Sequence, residues 1–578
     1  MHRVYLLFIK FYPKGTQMKK LRRLHIVFSL LIVLSLFLSS CAVPEEEYYT
    51  EEPVTEELLT EEQDAEPLAT SVPGDVVYDL GFTPEQNGFS FSNYGDDIPA
   101  INLTADELRR MFGDQVCSRL DGDLCTLTPP AEQWMEQING AMAGGHCEGM
   151  AVLSLMMYTE QIPAADFGGT VASDLDINDE ILQREIAYWW ATQTVAPTYT
   201  SVIKGTPMEI LEIVQQMDVS GETYSIGIYK EDGSGGHAIT PFGVEDKGDG
   251  LYAILAYDNN YPGETRELFV DSRDNTWLYE ASINPQVESE LYTGNADTQT
   301  LDLTPTSARL GLQECPFCDG SGVSSTGGGK LAALAQQLNQ IFLDGEGHIL
   351  ITDDDGNRLG YADGKIVNEI PGATYTAYRM DASGNAPEPI YWLPAKLDVT
   401  ITIDGSTLTE ESLTDLVLVG AGFSIGVEGI YLEPGQVDTA YFYPADQTIA
   451  YETEADESPN IVIGVENPDA EADYYFEIQG ADMQGGGTIT VFLDSKAGDL
   501  LINTEKLNSE GSFDFYLTRI TDELEEEFAA EEIALKEGAL VYVNYAEWTD
   551  ANPEGIYFGV DLDGDGVIDD EYVVDDSQ

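Results

Sequence analysis

The stretch Gly144-Gly145-His146-Cys147-Glu148-Gly149-Met150-Ala151-Val152-Leu153-Ser154-Leu155-Met156-Met157 sets a Gly-Gly-His-Cys phrase directly against an apolar run. The run predicts a buried helix from Cys147 to about Gln161, with Cys147 at its first turn. A helix N-terminus presents unpaired N–H groups and about half a positive charge. Both favour thiolate over thiol, and the thiolate is the nucleophile. The two glycines let a substrate backbone come close, so Gly145 and His146 are expected to line the substrate site. A buried structural cysteine is the plainer alternative; the Gly-Gly-His flank and the helix start argue against it.

A second glycine-flanked histidine lies downstream, in Gly235-Gly236-His237-Ala238-Ile239-Thr240. Histidine is scarce, since beyond residue 40 only His146, His237 and His348 remain. His237 opens an expected strand, Ala238–Val244. The next strand, Tyr252–Tyr257, ends in Asp258-Asn259-Asn260-Tyr261-Pro262-Gly263. Antiparallel neighbours bring those two ends together. A carboxylate or amide there can accept the imidazole N–H and fix its tautomer, as a nucleophile–base–orienter site requires. The Asp-Asn-Asn segment is also ordinary turn chemistry.

The order Cys…His…Asp/Asn, with the cysteine starting a helix and the other two on adjacent strands, resembles the papain-like cysteine peptidase superfamily. The phrases Gly-Gly-His-Cys-x-Gly-Met and Gly-His-Ala…Tyr-Asp-Asn-Asn-Tyr-Pro-Gly are similar to bacterial surface members of that group, over about residues 115–272. The resemblance implies Cys147 as nucleophile, His237 as general base and acid, and Asp258 as orienter, with Asn259 or Asn260 as substitutes. Gly236 is expected beside the substrate. Papain's oxyanion glutamine, six residues before the cysteine, is replaced by Ala141; Gln137 and Asn139 are the nearby candidates, and Asn139 is preferred. No cofactor is expected for catalysis, and the substrate class implied is peptide or protein.

The remaining cysteines sort by spacing. Cys117 and Cys125 lie in a turn-rich stretch and Cys315-Pro316-Phe317-Cys318 is a lone C-x-x-C, so two local disulfides are expected. A zinc site is disfavoured, because a C-x-x-C alone is half a site and the other pair is wrongly spaced.

Around this core the chain divides. Met18-Lys19-Lys20-Leu21-Arg22-Arg23, an apolar stretch to Leu38 and then Leu38-Ser39-Ser40-Cys41 have the order of a secretory signal. The ending resembles the lipobox of bacterial lipoproteins, which implies lipidation of Cys41, a membrane-anchored protein in the cell envelope, and a chain facing away from the cytoplasm. An uncleaved anchor is the alternative. Residues 41–74 read as an acidic disordered tether. Residues 75–302 form the expected α+β domain, with helices at Thr104–Met111, Ala131–Asn139 and about Asp179–Thr192, and strands including Tyr224–Tyr229 and Glu267–Val270. Residues 303–345 read as a linker with a helix at Lys330–Phe342. Short alternating strands such as His348–Thr352, Asp398–Ile403, Tyr441–Tyr443, Asn460–Val465 and Thr488–Phe492 then predict β-sandwich material, divided into modules at 346–480 and 481–578. An acidic helix is expected at Thr521–Lys536. The fold class is therefore multidomain: a papain-like α+β domain followed by β-sandwich modules.

Charge excludes one class of partner. Lys and Arg number 26 against 104 Asp and Glu, and seven of the basic residues lie in residues 1–40. Binding nucleic acid by phosphate neutralisation needs clustered cations that such a chain lacks. One acidic segment is patterned: Asp561-Leu562-Asp563-Gly564-Asp565-Gly566-Val567-Ile568-Asp569-Asp570-Glu571 sets oxygens at alternating positions, like a calcium loop. Asp561, Asp563, Asp565 and Asp569 are the expected ligands of a structural Ca²⁺. Glu571 or Asp569 is expected to stand in for the final glutamate, whose place Tyr572 takes.

Peptide hydrolysis is the function expected. The rival readings are a non-catalytic surface adhesion or binding protein with a degenerate peptidase-like domain, and a transglutaminase-type acyl transferase using the same triad order.

Overall fold

Alternating and continuous runs of β-branched and aromatic residues dominate the chain beyond Thr223, and these fit pleated, half-buried surfaces. In the computed structural model, which describes residues 73–231, 235–281, 290–318, 338–380, 388–467, 472–508, 511–549 and 555–575, strand outweighs helix by 46% to 19%. The protein is multi-sheet and mostly β, with a β-sandwich-like C-terminal region. The expected leader, Cys41 and the acidic stretch as far as residue 72 lie outside the described residues. Among those described, no helix is long and apolar enough to cross a membrane.

In chain order the N-terminal body contains β1 (Asp75–Asp79), α1 (Ala105–Phe112), a hairpin of β2 (Cys117–Asp121) and β3 (Leu124–Leu127), α2 (Pro129–Ala141), α3 (Cys147–Tyr158) and α4 (Glu180–Ala191). It continues with β4 (Ile203–Lys204), α5 (Pro207–Val214), β5 (Tyr224–Tyr229), β6 (Gly236–Gly248), β7 (Leu251–Tyr257), β8 (Thr265–Asp271), β9 (Thr276–Ala281), β10 (Glu290–Asn295) and β11 (Leu301–Pro305). Nine of these strands make one antiparallel sheet in the order β10-β9-β8-β7-β6-β5-β11-β4, with β1 paired to the far half of β6. The long β6 joins the two halves: its start pairs with β5, and from Thr240 onward it pairs with β7.

α3 is buried from Cys147 to Met156, as a helix apolar all round must be. Its start is set by Gly145, whose φ of 143° suits glycine alone, and by His146, which is not yet helical. α4 begins where Asp179 accepts the N–H groups of Ile181 and Leu182. α3 and α4 lie so close that a Cβ on Gly149 would come within 2.1 Å of the Ile186 carbonyl oxygen.

The body does not end at residue 302. The β11 strand runs to Pro305, Arg309 is buried in the body, and the Gln313 N–H donates to the Met111 carbonyl at 2.8 Å. Phe317 packs edge-on against Phe112. The stretch expected to open a linker is therefore part of the packed domain as far as residue 318.

Twenty strands, β12 (Leu338–Asp344) to β31 (Asp570–Val574), build a nine-stranded and an eleven-stranded antiparallel sheet. One hydrophobic core spans Ile341 to Phe558 and draws on both. Both sheets also run across residue 480, where a module boundary was expected, so strands from either side share the same two sheets. On the other face of the nine-stranded sheet lies α2. The Trp134 indole N–H donates to Gln340 Oε1 at 2.9 Å, and Phe342, Trp392, Val417 and Val419 join the helices' core.

Two expected helices are strands. Of Lys330–Phe342, residues 330–337 lie outside the described residues and the rest belongs to β12. There Ile341 and Leu343 face the sandwich core while Phe342 faces the helices. A strand covered on both faces reads as a continuous apolar run, and periodicity cannot distinguish that from a buried helix. Residues 525–535 of the expected acidic helix form β28 (Glu525–Leu535), paired with β27 (Gly511–Ile520) at a sheet end. Phe528, Ala530, Ile533 and Leu535 are buried, and that burial outweighs the helix propensity of the glutamates between them. Charges on an edge strand also guard it against pairing with another chain.

Candidate active site

Three chain segments converge at one buried point. Cys147 occupies the first turn of α3, His237 is the second residue of β6, and Asp258 follows the last residue of β7. Pairing of Thr240 with Tyr257 fixes the register that sets the histidine and aspartate ends side by side. His237 Nε2 lies 2.8 Å from Asp258 Oδ1, and Nδ1 makes no hydrogen bond. Cys147 lies near enough for its charge to favour the imidazolium. With Nε2 committed to the carboxylate, Nδ1 is the nitrogen left for the thiol.

The electrostatics follow from burial and partners. Cys147 and Asp258 are fully buried and His237 is 2% exposed. Burial opposes the imidazolium, but the Asp258 carboxylate, its hydrogen bond to the ring and the Cys147 charge outweigh it. They hold His237 well above the usual histidine range. Burial likewise works against the Asp258 carboxylate, and the His237 charge, the Tyr279 hydroxyl and the Asn260 N–H together keep it below the usual range. The hydroxyl donates to Asp258 Oδ2 at 2.6 Å and the N–H to Oδ1 at 2.9 Å. Asn259 does not face the imidazole: its amide donates to the Cys147 carbonyl at 2.9 Å and to the Ala238 carbonyl at 3.3 Å. It thereby ties the start of the helix to the strand that carries the histidine.

His146 is held apart from this cluster. Its ring stacks on Tyr94, with centroids 4.3 Å apart. Nδ1 lies 2.7 Å from the Tyr94 carbonyl oxygen and Nε2 lies 2.8 Å from Asn102 Oδ1. Burial pushes its pKa down to about 4, so the ring is uncharged at neutral pH. Its role is to fix the turn before Cys147. Asn139 is likewise occupied elsewhere: its side chain accepts from the Leu103 N–H at 3.0 Å and donates to the Leu103 carbonyl at 3.1 Å. Both polar atoms are spent on that backbone, which corrects the expectation of an oxyanion role. Asn93, which no sequence pattern marks, holds the turn before Cys147, its Oδ1 accepting the His146 N–H at 2.8 Å. Gly145 lies in the turn before Cys147, and the carbonyl of Gly236 accepts an N–H from Met380 at 2.9 Å.

Beneath Cys147 lies a buried ionic network that the sequence did not reveal. Glu148, fully buried, pairs with Arg309 and with Arg379, the latter at 2.9 Å, and accepts from the Ser225 hydroxyl at 3.0 Å. Arg379 donates on to Asp302 Oδ1 and Thr304 Oγ1, each at 2.6 Å, and to the Tyr229 hydroxyl at 2.8 Å. Arg309 and Arg379 stand 161 and 231 positions after Glu148, beyond the reach of local pattern.

The other expected sites divide. Cys117–Cys125 and Cys315–Cys318 are disulfide-bonded. In the loop joining β30 (Ile556–Asp561) to β31, carboxylate oxygens of Asp561, Asp563 and Asp569 gather within 4.8 Å of one another. Three carboxylates suit a hard cation. Asp565 Oδ1 instead accepts the Val567 N–H at 2.9 Å, and Glu571 Oε2 accepts from the Tyr557 hydroxyl at 3.1 Å. Those two expected ligands stand outside the group.

Comparison with known proteins gives no relative: no family model, no curated protein and no solved structure matches this chain.

Proposed function

We propose that the chain is a cell-envelope lipoprotein whose N-terminal body is a papain-like thiol hydrolase acting on peptide or protein substrates. One observation carries this reading: a buried imidazole held by the Asp258 carboxylate, on a strand that Asn259 ties to the Cys147 backbone at the start of a helix. That arrangement suits a thiolate–imidazolium pair.

In the proposed reaction the Cys147 thiolate attacks the substrate carbonyl carbon and a C–S bond forms. His237 gives its proton to the departing amine as the C–N bond breaks, leaving a thioester. Water, giving a proton to His237, then attacks that carbonyl; the C–S bond breaks, the carboxylic acid leaves, and the thiolate and imidazolium are restored. Asp258 holds the ring and stabilises its charge throughout. With an amine in place of water the same thioester would yield an acyl-transfer product. Complete burial of Cys147 favours a second reading, a non-catalytic binding module.

The test reads ionisation rather than turnover. Thiolate absorbance, taken as the difference between the protein and Cys147→Ala, should persist down to about pH 6, well below the ~8.5 of an ordinary cysteine. In His237→Ala it should vanish below about that value. A thiol that titrates normally in both would leave the binding module as the better account.

We extend the proposal to the remaining expectations. Cys41 carries lipid, so Cys41→Ser should release the protein from the membrane fraction. A calcium ion at Asp561, Asp563 and Asp569 would brace the β30–β31 loop.

A further inference from the structure

Residues Tyr378, Arg379 and Met380 leave the C-terminal region after β16 (Thr374–Thr376) and run antiparallel to the start of β6. The Met380 N–H donates to the carbonyl of Gly236, the residue before His237, at 2.9 Å. The Met380 side chain lies against Gly144, three residues before Cys147: a Cβ on Gly144 would stand 2.9 Å from the Met380 sulfur. A Cβ on Gly236 would stand 2.5 Å from the Tyr378 carbonyl oxygen. Each of these glycines, one three residues before Cys147 and one immediately before His237, therefore leaves room for this segment. Arg379 turns to the opposite side, as alternation in an extended chain requires, and its guanidinium is fixed by Glu148 and Asp302. Met380 is 2% exposed.

An extended peptide added to a sheet is recognised by main-chain bonds, with alternate side chains filling pockets. Tyr378–Met380 has that form: a main-chain bond at Gly236, Tyr378 stacked on Trp190 with ring centroids 5.5 Å apart, and Met380 set against Gly144. We infer that Tyr378-Arg379-Met380 is a built-in peptide occupant of the candidate active site, which is latent while Met380 is seated. The inference rests on Cys147 being the nucleophile. It also names the substrate class: an extended peptide with an unbranched apolar side chain in the place of Met380.

The experiment measures the rate of Cys147 alkylation by iodoacetamide in the full protein, alongside the thiolate absorbance. Met380→Ala shortens the occupant. Met380→Gln keeps its length but makes its burial unfavourable. Both should speed alkylation by about tenfold or more, equal to ~1.4 kcal/mol of opening free energy, with the thiolate absorbance unchanged. Met111→Ala, a truncation in the helices' core that also holds Met380, should leave the rate as it was and so controls for general loosening. Equal rates in the unaltered protein and both Met380 variants, with thiolate present, would overturn the occupant while sparing the nucleophile. Absence of thiolate in every variant would overturn both.

Discussion

Arg379→Met removes the cation that joins the C-terminal region to the floor of the candidate site. The guanidinium is 3% exposed and donates to two buried carboxylates, a threonine and a tyrosine. Methionine fills much of the volume and none of the hydrogen bonds. Glu148 keeps Arg309 and Ser225, so the loss falls mainly on Asp302. Burial already raises the Asp302 pKa, and Arg379 is the first group opposing that rise. Leaving one member of a buried pair uncompensated costs ~3–5 kcal/mol, and the lower part of that range is expected because Lys204 still lies near. The assay is guanidinium denaturation followed by tryptophan fluorescence. The deficit should shrink as pH falls from about 8 to 5. An acid whose folded pKa lies above its unfolded value penalises the fold while ionised, and that penalty disappears once it is protonated. Arg379→Met/Asp302→Asn, with no charge left to orphan, should recover a large share of the loss. A single variant within about 1 kcal/mol of the unaltered protein, or a deficit independent of pH, would refute this account of how the two regions are joined.

Asp258→Asn should bring the His237 pKa down and move the Cys147 thiolate titration toward that of an ordinary thiol. A raised histidine stabilises the fold below its unfolded pKa and loses that effect as pH rises through the folded value. A depressed carboxylate acts only above its own folded pKa. The stability lost in this variant should therefore be greatest between those limits, as thermal unfolding across pH would show. Gly149→Ala should cost about 3 kcal/mol, the upper part of the overpacking range, because its methyl group meets the Ile186 carbonyl; chemical denaturation reads it directly. Calcium at about a hundred times its dissociation constant should stabilise the protein by ~2.7 kcal/mol. Asp561→Ala should abolish that shift and Asp565→Ala should leave most of it, read as the calcium dependence of thermal unfolding. Glu136, pushed up to about 7 by burial and by Glu132, Glu428, Glu477 and Asp415, should make Glu136→Gln more stabilising at about pH 8 than at pH 6.

Local chemistry was legible wherever the local segment decides the outcome. The apolar run after Cys147 was read as a buried helix, and α3 is one. The Gly-Gly-His phrases marked two segments of the candidate site, and the Asp-Asn-Asn turn supplied the carboxylate. Cysteine spacing told the two disulfides apart from Cys147. Asn139 misled because closeness in sequence says nothing about where an amide points, and here it points to Leu103. Propensity misled at Glu525–Leu535, where a neighbouring strand and a buried face prevailed over helix-favouring glutamates.

What the amino-acid order determined by itself was the set of candidate groups and the elements that present them, since helix starts, strand periods and turns depend on neighbours a few positions apart. Only the tertiary structure brought Tyr279, Asn93, Arg309 and Arg379 to that set and laid Met380 between its two glycines. Those contacts join residues separated by tens to hundreds of positions. Their partners are selected by burial and charge compensation, which act through space and leave no period in the chain.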